Sequence, residues 1–367
     1  MLSKNILIWG RYGNYGPDYP RNRVIESVLR TQGHQVSRFL PKMSWCADWE
    51  YVLRRGVRPD LIWVPCFRQR DLPAAARYAK RNGIPLIFDP LISAYDKQVN
   101  ERNKFEANSQ KGLKLLMHER ALFSKADIVI ADTAGHAIYF SNTLAVPKSQ
   151  TYVIAVGAEE ELFRSVPWVK KAENSPLEVV FFGTFIELQG VDVIANAISK
   201  YNGAPIHWRL IGQGALLAEC QAKLSNTAEL KQQGSQVSFE PWGALQELPA
   251  RLASADIILG IFGHGEKTQR VIPNKVYQAL ALGKPVITAK TEAYPEKLRV
   301  RDDAGIYWVT AGDSQSLLTA INAAYHDREH LAIMASAARK SYDECFSNKV
   351  IDRQIVKVLH TCFGVQE

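Results

Sequence analysis

The residues best suited to chemistry lie in one stretch of the second half. Gly263-His264-Gly265-Glu266-Lys267-Thr268-Gln269-Arg270 is rich in glycine and in cations. Pro273-Asn274-Lys275-Val276-Tyr277-Gln278 then opens a helix that Gly283 closes, followed by Lys284-Pro285 and the apolar Val286-Ile287-Thr288. A helix N-terminus aims backbone N–H groups and the positive end of its dipole outward. With Lys267, Arg270 and Lys275 beside it, the pattern has the donors and the charge that a diphosphate requires. The same letters describe an ordinary helix and strand behind a solvated loop, so their weight comes from the rest of the chain.

Such residues need a scaffold that presents them at strand ends, and the sequence spells one twice. In the first half, residues 4–9, 35–39, 61–64, 86–88, 128–131 and 151–154 read as short apolar strands, and 21–32, 72–81 and 113–124 as helices. Glu159-Glu160-Glu161 and the charged, proline-bounded run 167–176 mark a linker. The rhythm then restarts, with strands at 177–182, 207–211, 237–240, 257–261 and 305–309. Helices are expected at 191–201, 215–224, 245–253 and 314–325, and a long helical stretch, 333–359, is interrupted near Phe346-Ser347-Asn348. Strands alternating with helices imply parallel βαβ units. The expected fold is therefore α/β, with two Rossmann-like doubly wound domains at 1–165 and 176–340. A terminal helix in 341–367 is expected to return to the first. Ligands of such sheets bind beyond the carboxyl ends of the strands, which makes an interdomain cleft the expected site.

Composition narrows the classes. In 367 residues, 47% are hydrophobic and 22% charged, as in a water-soluble two-domain protein. No run reaches the ~18 apolar residues of a membrane helix, and the start has no apolar leader with a cleavage site. Five scattered cysteines without a CxxC pair point to reduced thiols and a cytoplasmic setting rather than disulfides or zinc. The net charge of +8 is uneven: residues 1–150 carry +10 and the remainder −2. That basic half can face a phosphorylated substrate or the anionic inner face of a membrane, although evenly solvated charge is the plain alternative. No dense Lys/Arg run or recognition motif points to nucleic acid.

Other residues extend the candidate site. The loop Gly10-Arg11-Tyr12-Gly13-Asn14-Tyr15-Gly16-Pro17-Asp18 and the arginines Arg21 and Arg23 offer close backbone approach, notably at Gly16, together with charge. The spacing is not GxGxxG with a later acid, so a nicotinamide site is not expected. Asp89 follows a strand and is placed either to orient an acceptor hydroxyl or to cap a helix. His264, between glycines, can touch a sugar hydroxyl or simply ride a mobile loop. Trp242 can stack on a base, and a buried packing role is its alternative.

Several segments, in order, resemble a known family. They are His118-Glu119 with 126–131; Val153-Ile154-Ala155-Val156-Gly157-Ala158 with Phe163; Phe182-Gly183-Thr184 through Gln189-Gly190-Val191; Leu210-Ile211-Gly212-Gln213-Gly214; Phe239-Glu240-Pro241-Trp242-Gly243 with Ala255-Asp256-Ile257; and the 271–288 stretch. Together they are similar to the retaining GT-B glycosyltransferases of family 4, the glycosyl transferases group 1. The resemblance implies a GT-B fold and transfer of a sugar from a nucleotide-diphosphate-sugar donor to a saccharide or lipid-linked acceptor. Within it, Thr184, Gln189, Gly212, Trp242, Gly243 and Asn274 fall at donor-binding positions.

The chain departs from the family where charge matters. The family's two glutamates, separated by seven residues, are Arg270 and Gln278 here, and its paired diphosphate cations are Thr184 and Gln189. Gln278 can still bond a ribose hydroxyl, without charge assistance. The expected replacement cations are Lys267, Arg270 and Lys275, with Asp89, His264 and Arg270 as candidates at the reacting groups. No metal is expected, since there is no Asp-x-Asp element, and no dissociable cofactor. A non-catalytic glycosyltransferase-like subunit and a nucleotide-sugar 2-epimerase are the alternatives.

Overall fold

The computed structural model describes residues 2–10, 19–172, 175–225 and 234–364. The chain forms two units, Met1–Gly157 with Asn348–Glu367, and Ala158–Ser347.

The first unit is a six-stranded parallel sheet: β1 (Asn5–Trp9), β2 (Gln35–Phe39), β3 (Leu61–Val64), β4 (Leu86–Phe88), β5 (Ile128–Ala131) and β6 (Thr151–Val153), in the order β2-β1-β3-β4-β5-β6. β3, β4 and β5 are buried along their whole length, as expected of parallel strands covered on both faces. Its helices include α1 (Pro20–Thr31), α2 (Ala47–Leu53), α3 (Leu72–Asn82), α4 (Gln110–Phe123) and α5 (Ala134–Asn142). Their ends are written locally. Proline starts α1 and α3, Gly83 closes α3 in the left-handed conformation, and the Ser109 and Thr133 hydroxyls cap α4 and α5. The core joins Trp9, Phe39, Phe88, Phe123 and Phe140 between sheet and helices.

The second unit repeats the plan with β7 (Leu177–Thr184), β8 (Ile206–Gln213), β9 (Gln236–Glu240), β10 (Ile257–Leu259), β11 (Val286–Ala289) and β12 (Ile306–Val309), all parallel, in the order β12-β11-β10-β7-β8-β9. α6 (Val191–Ser199), α7 (Leu217–Lys223), α8 (Leu248–Ala253), α9 (Asn274–Ala281), α10 (Glu296–Arg299), α11 (Ser314–His326) and α12 (Leu331–Cys345) cover it. α13 (Asn348–Phe363) lies in the first unit, where Gln32 Nε2 donates to Asp352 at 2.9 Å and Gln354 accepts from Ala155 N at 3.0 Å.

Two boundaries differ from the sequence reading. The first unit ends at Gly157 rather than 165, because the following segment bonds into the second: Tyr342 Oη accepts from Ala158 N at 3.2 Å, and Val166 N donates to Leu282 O at 3.1 Å. The return to the first unit begins at Asn348 rather than 341, since α12 continues to Cys345 within the second. Among the described residues, no helix is long and apolar enough to cross a membrane.

Candidate functional site

In the second unit the strand order reverses between β7 and β10, and the chain leaves their carboxyl ends on opposite sides. This reversal opens the crevice in which doubly wound sheets hold ligands. Glycines line it. Gly183 on β7 pairs with Gly212 on β8, and a Cβ on Gly212 would overlap the Gly183 carbonyl oxygen. A Cβ on Gly190 would stand 2.6 Å from Gly263 N, and one on Gly263 would stand 2.7 Å from Leu188 O. Phe262 N also donates to Gln189 O at 3.1 Å. The loops that follow β7 and β10 are thereby locked backbone to backbone.

α9 points its first turn into this crevice. Pro273 precedes it, and no side chain caps it. From its second residue, Lys275 reaches under the end of β7, with Nζ 3.7 Å from the centroid of the Phe181 ring. Lys275 is 4% exposed, and its Nζ has no hydrogen-bond partner among the described residues. Burial pushes its ammonium well below the ordinary lysine range. A buried cation supported only by an aromatic face is costly for a fold to keep. An anion at the strand end would satisfy it.

The other expected donor-side residues collect at the same end of this sheet. Lys267 is buried at 6%, and Arg270, half-buried, lies 3.5 Å from Glu266. Asn274 opens α9. Gln278, one turn after Asn274, is 5% exposed, and its amide makes no side-chain hydrogen bond among the described residues. Thr184 is exposed at the end of β7, and Gln189 is half-buried with a bonding-deficient Oε1. His264 is exposed, its side chain beside Gly312, where a Cβ would lie 3.2 Å away. Trp242 is not a packing residue: it stands 39% exposed after β9. A Cβ on the neighbouring Gly243 would press on Glu247 and Arg251. Among the described residues, no group of three His, Cys, Asp or Glu could hold a metal ion.

The first unit corrects one expectation. Asp89 does stand at a strand's carboxyl end, but it is 1% exposed, and both its oxygens accept from Arg21 Nε at 2.8 Å. Arg21, fully buried, also donates to Ile154 O at 2.9 Å. Complete burial raises the Asp89 carboxyl, and Arg21 pulls it back down. This closed pair ties α1 to β4 and to the segment after β6, so Asp89 is no acceptor base and Arg21 no open cation. Gly16 and Arg11 lie outside the described residues.

Glu119 on α4 also acts structurally. It accepts from Ala94 N and Tyr95 N, each at 2.9 Å, and from the Ser93 hydroxyl, fixing the loop after β4. A pair the sequence reading missed is Asp132 and His136. His136 Nδ1 lies 2.5 Å from Asp132 Oδ1, both residues are buried, and Nε2 has no partner among the described residues. Their spacing of four across a Thr133 cap was the available signal.

Comparison with known proteins agrees with this architecture. Residues 176–327 match the family described as Glycosyl transferases group 1. The chain is 25% identical over 221 residues to the putative colanic acid biosynthesis glycosyltransferase WcaL of Escherichia coli K12, covering 59% of this chain and 52% of that protein. It is 23% identical over 219 residues to the amylovoran biosynthesis glycosyltransferase AmsK of Erwinia amylovora, with the same coverage. The chain thus spans about half the length of the curated relatives it matches. Anabaena HepE in complex with UDP superimposes with a TM-score of 0.68 at 19% identity, over 97% of this chain and 100% of that one. Sucrose-phosphate synthase of Thermosynechococcus elongatus does so at 0.74 and 15%, over 99% and 100%. The fold is theirs: two parallel α/β units of the GT-B type.

Proposed function

We propose that this chain is a glycosyltransferase that moves a sugar from a nucleoside-diphosphate donor to a saccharide or lipid-linked acceptor, with retention and without a metal. The observation that carries the reading is Lys275: a buried amine with no hydrogen-bond partner among the described residues, at the first turn of α9 and against Gly183. The group 1 match covers the unit that holds it. The relatives named for colanic acid and amylovoran biosynthesis support a saccharide acceptor.

In this reading the bond between the anomeric carbon and the phosphate oxygen breaks, the acceptor hydroxyl oxygen bonds to that carbon on the same face, and charge gathers on the leaving diphosphate. Lys275, Lys267, Arg270 and the N–H groups of α9 stabilise that charge through fixed dipoles and cations. The acceptor proton passes to the departing phosphate. Gln278 holds a ribose hydroxyl, Trp242 stacks on the base, and His264 contacts the donor sugar. Reduced cysteines and the basic first unit fit a cytoplasmic enzyme that works at the inner membrane face.

The test is a panel of nucleotide sugars, starting with UDP-glucose, which is present in a HepE structure. Release of nucleoside diphosphate is read with the parent and with Lys275→Met. Loss of one charge-assisted contact worth ~1.5–3 kcal/mol should cut diphosphate affinity at least about tenfold. A chain that no nucleoside diphosphate stabilises against heat would overturn the reading, because ligand at 100 times Kd adds ~2.7 kcal/mol.

A further inference from the structure

The first unit carries an apolar face that none of its described residues covers. The turn Ser44–Cys46 and α2 leave Trp45 72% exposed, Trp49 62% and Leu53 81%, and Met43, Val52 and Val57 extend the patch. Trp45, Trp49 and Leu53 are spaced four apart and so share one side of the helical run. The opposite side is anchored. Ala47, Asp48 and Tyr51 are buried, and Asp48 pairs with Arg77 at 2.7 Å and Arg81 at 2.5 Å. The indoles therefore face outward because the fold holds them there. Contiguous apolar surface of this kind marks a contact site.

Charge identifies the contact. Lys42, Arg54, Arg55 and Arg58 are exposed around the patch. The local acids are engaged: Asp48 as above, and Glu50 with Arg54 at 2.5 Å and Lys42 N at 2.8 Å. Arg81 lies 5.4 Å from the Trp49 ring centroid. An apolar face ringed by the exposed Lys42, Arg55 and Arg58 complements a surface whose acyl chains lie next to phosphates.

We infer that this face rests on an anionic lipid bilayer, with Trp45, Trp49, Leu53 and Val57 at the boundary of headgroups and acyl chains and the arginines on lipid phosphates. Tryptophan suits that boundary, and each nearby cation adds to attraction by anionic lipid. The inference rests on the membrane-face part of the proposed function and gives it residues, and it does not depend on the donor site, which lies in the other unit.

The test sediments the full chain with vesicles of phosphatidylcholine alone or mixed with phosphatidylglycerol, at low and high salt. The parent should partition at least about tenfold more strongly onto the anionic vesicles at low salt, with a blue shift of tryptophan emission. Trp45→Gln with Leu53→Gln, and separately Lys42→Gln with Arg55→Gln, should lose that binding. Both should keep the parent's thermal midpoint and nucleoside-diphosphate affinity. Three results would overturn the inference: no preference for anionic vesicles, variants that partition like the parent, or a parent that self-associates through this face without binding vesicles. Failure here with intact nucleotide binding leaves the transferase reading standing.

Discussion

A Cβ placed on Gly183 would lie 2.8 Å from Nζ of Lys275 and 3.2 Å from its Cε. The ammonium occupies the volume that any side chain at the end of β7 would fill. Gly183→Ala should therefore turn the lysine tip aside and weaken nucleoside-diphosphate binding about tenfold, the worth of one charge-assisted contact. The lysine tip can give way because it ends a flexible chain, but Gly183 has φ +158°, which L residues rarely adopt, so the variant should also lose some stability and its affinity is read on the folded protein. Calorimetric affinity equal to the parent's would show that the ammonium does not reach the diphosphate.

Proton linkage gives a second expectation. In the ligand-free fold, burial keeps the Lys275 ammonium well below 10.5, its ordinary value. The unfolded chain then binds more protons at this residue, so stability rises as pH climbs through the window below 10.5. A bound diphosphate favours the ammonium and should draw a proton in. Binding enthalpies measured in buffers of different ionisation enthalpy should reveal that uptake, and Lys275→Met should abolish it. The same variant should be more stable by about 1–3 kcal/mol in the absence of ligand, since it removes a buried polar group that has no hydrogen-bond partner among the described residues. Enthalpies that ignore the buffer in both proteins would refute the linkage.

The Arg21–Asp89 pair is expected to support the fold and not the chemistry. Arg21→Met strands a buried carboxylate and should cost about 3–5 kcal/mol in urea denaturation. Adding Asp89→Leu should restore part of that loss, the remainder reflecting the carbonyl of Ile154 left without its donor. The double variant, once folded, should still release nucleoside diphosphate from the donor at the parent's rate. A folded double variant without turnover would return Asp89 to the catalytic list.

Much of the fold was legible because its signals are local. The strand at 61–64 is an apolar run of four bounded by Asp60 and Pro65, and the helix closed by Gly83 carries its own stop. The helix α9 was likewise readable from Pro273 to Gly283. What could not be read depended on partners distant in sequence. Asp89 looked like an open carboxylate because Arg21 precedes it by 68 residues. Lys275 was recognisable as a cation near a helix start, but its burial against Phe181 comes from a strand almost a hundred residues earlier. α2 escaped notice because seven residues carry too little periodicity, and nothing local in the sequence sets Trp49 apart from a core tryptophan.

The return of α13 to the first unit sets an order of assembly. Ala158–Ser347 is one continuous length of chain, and it can be complete while the ribosome is still at work. The N-terminal sheet cannot be. The backbone N–H of Ala155 waits for Gln354, and α1 waits for its neighbour α13, until residues 348–363 have been made. At ~5–20 residues per second, that wait lasts about 10–40 s after Gly157 is added. The half that emerges first is therefore the half that matures last, and protease pulses on stalled nascent chains should find it cleavable until residues beyond Asn348 have cleared the exit tunnel.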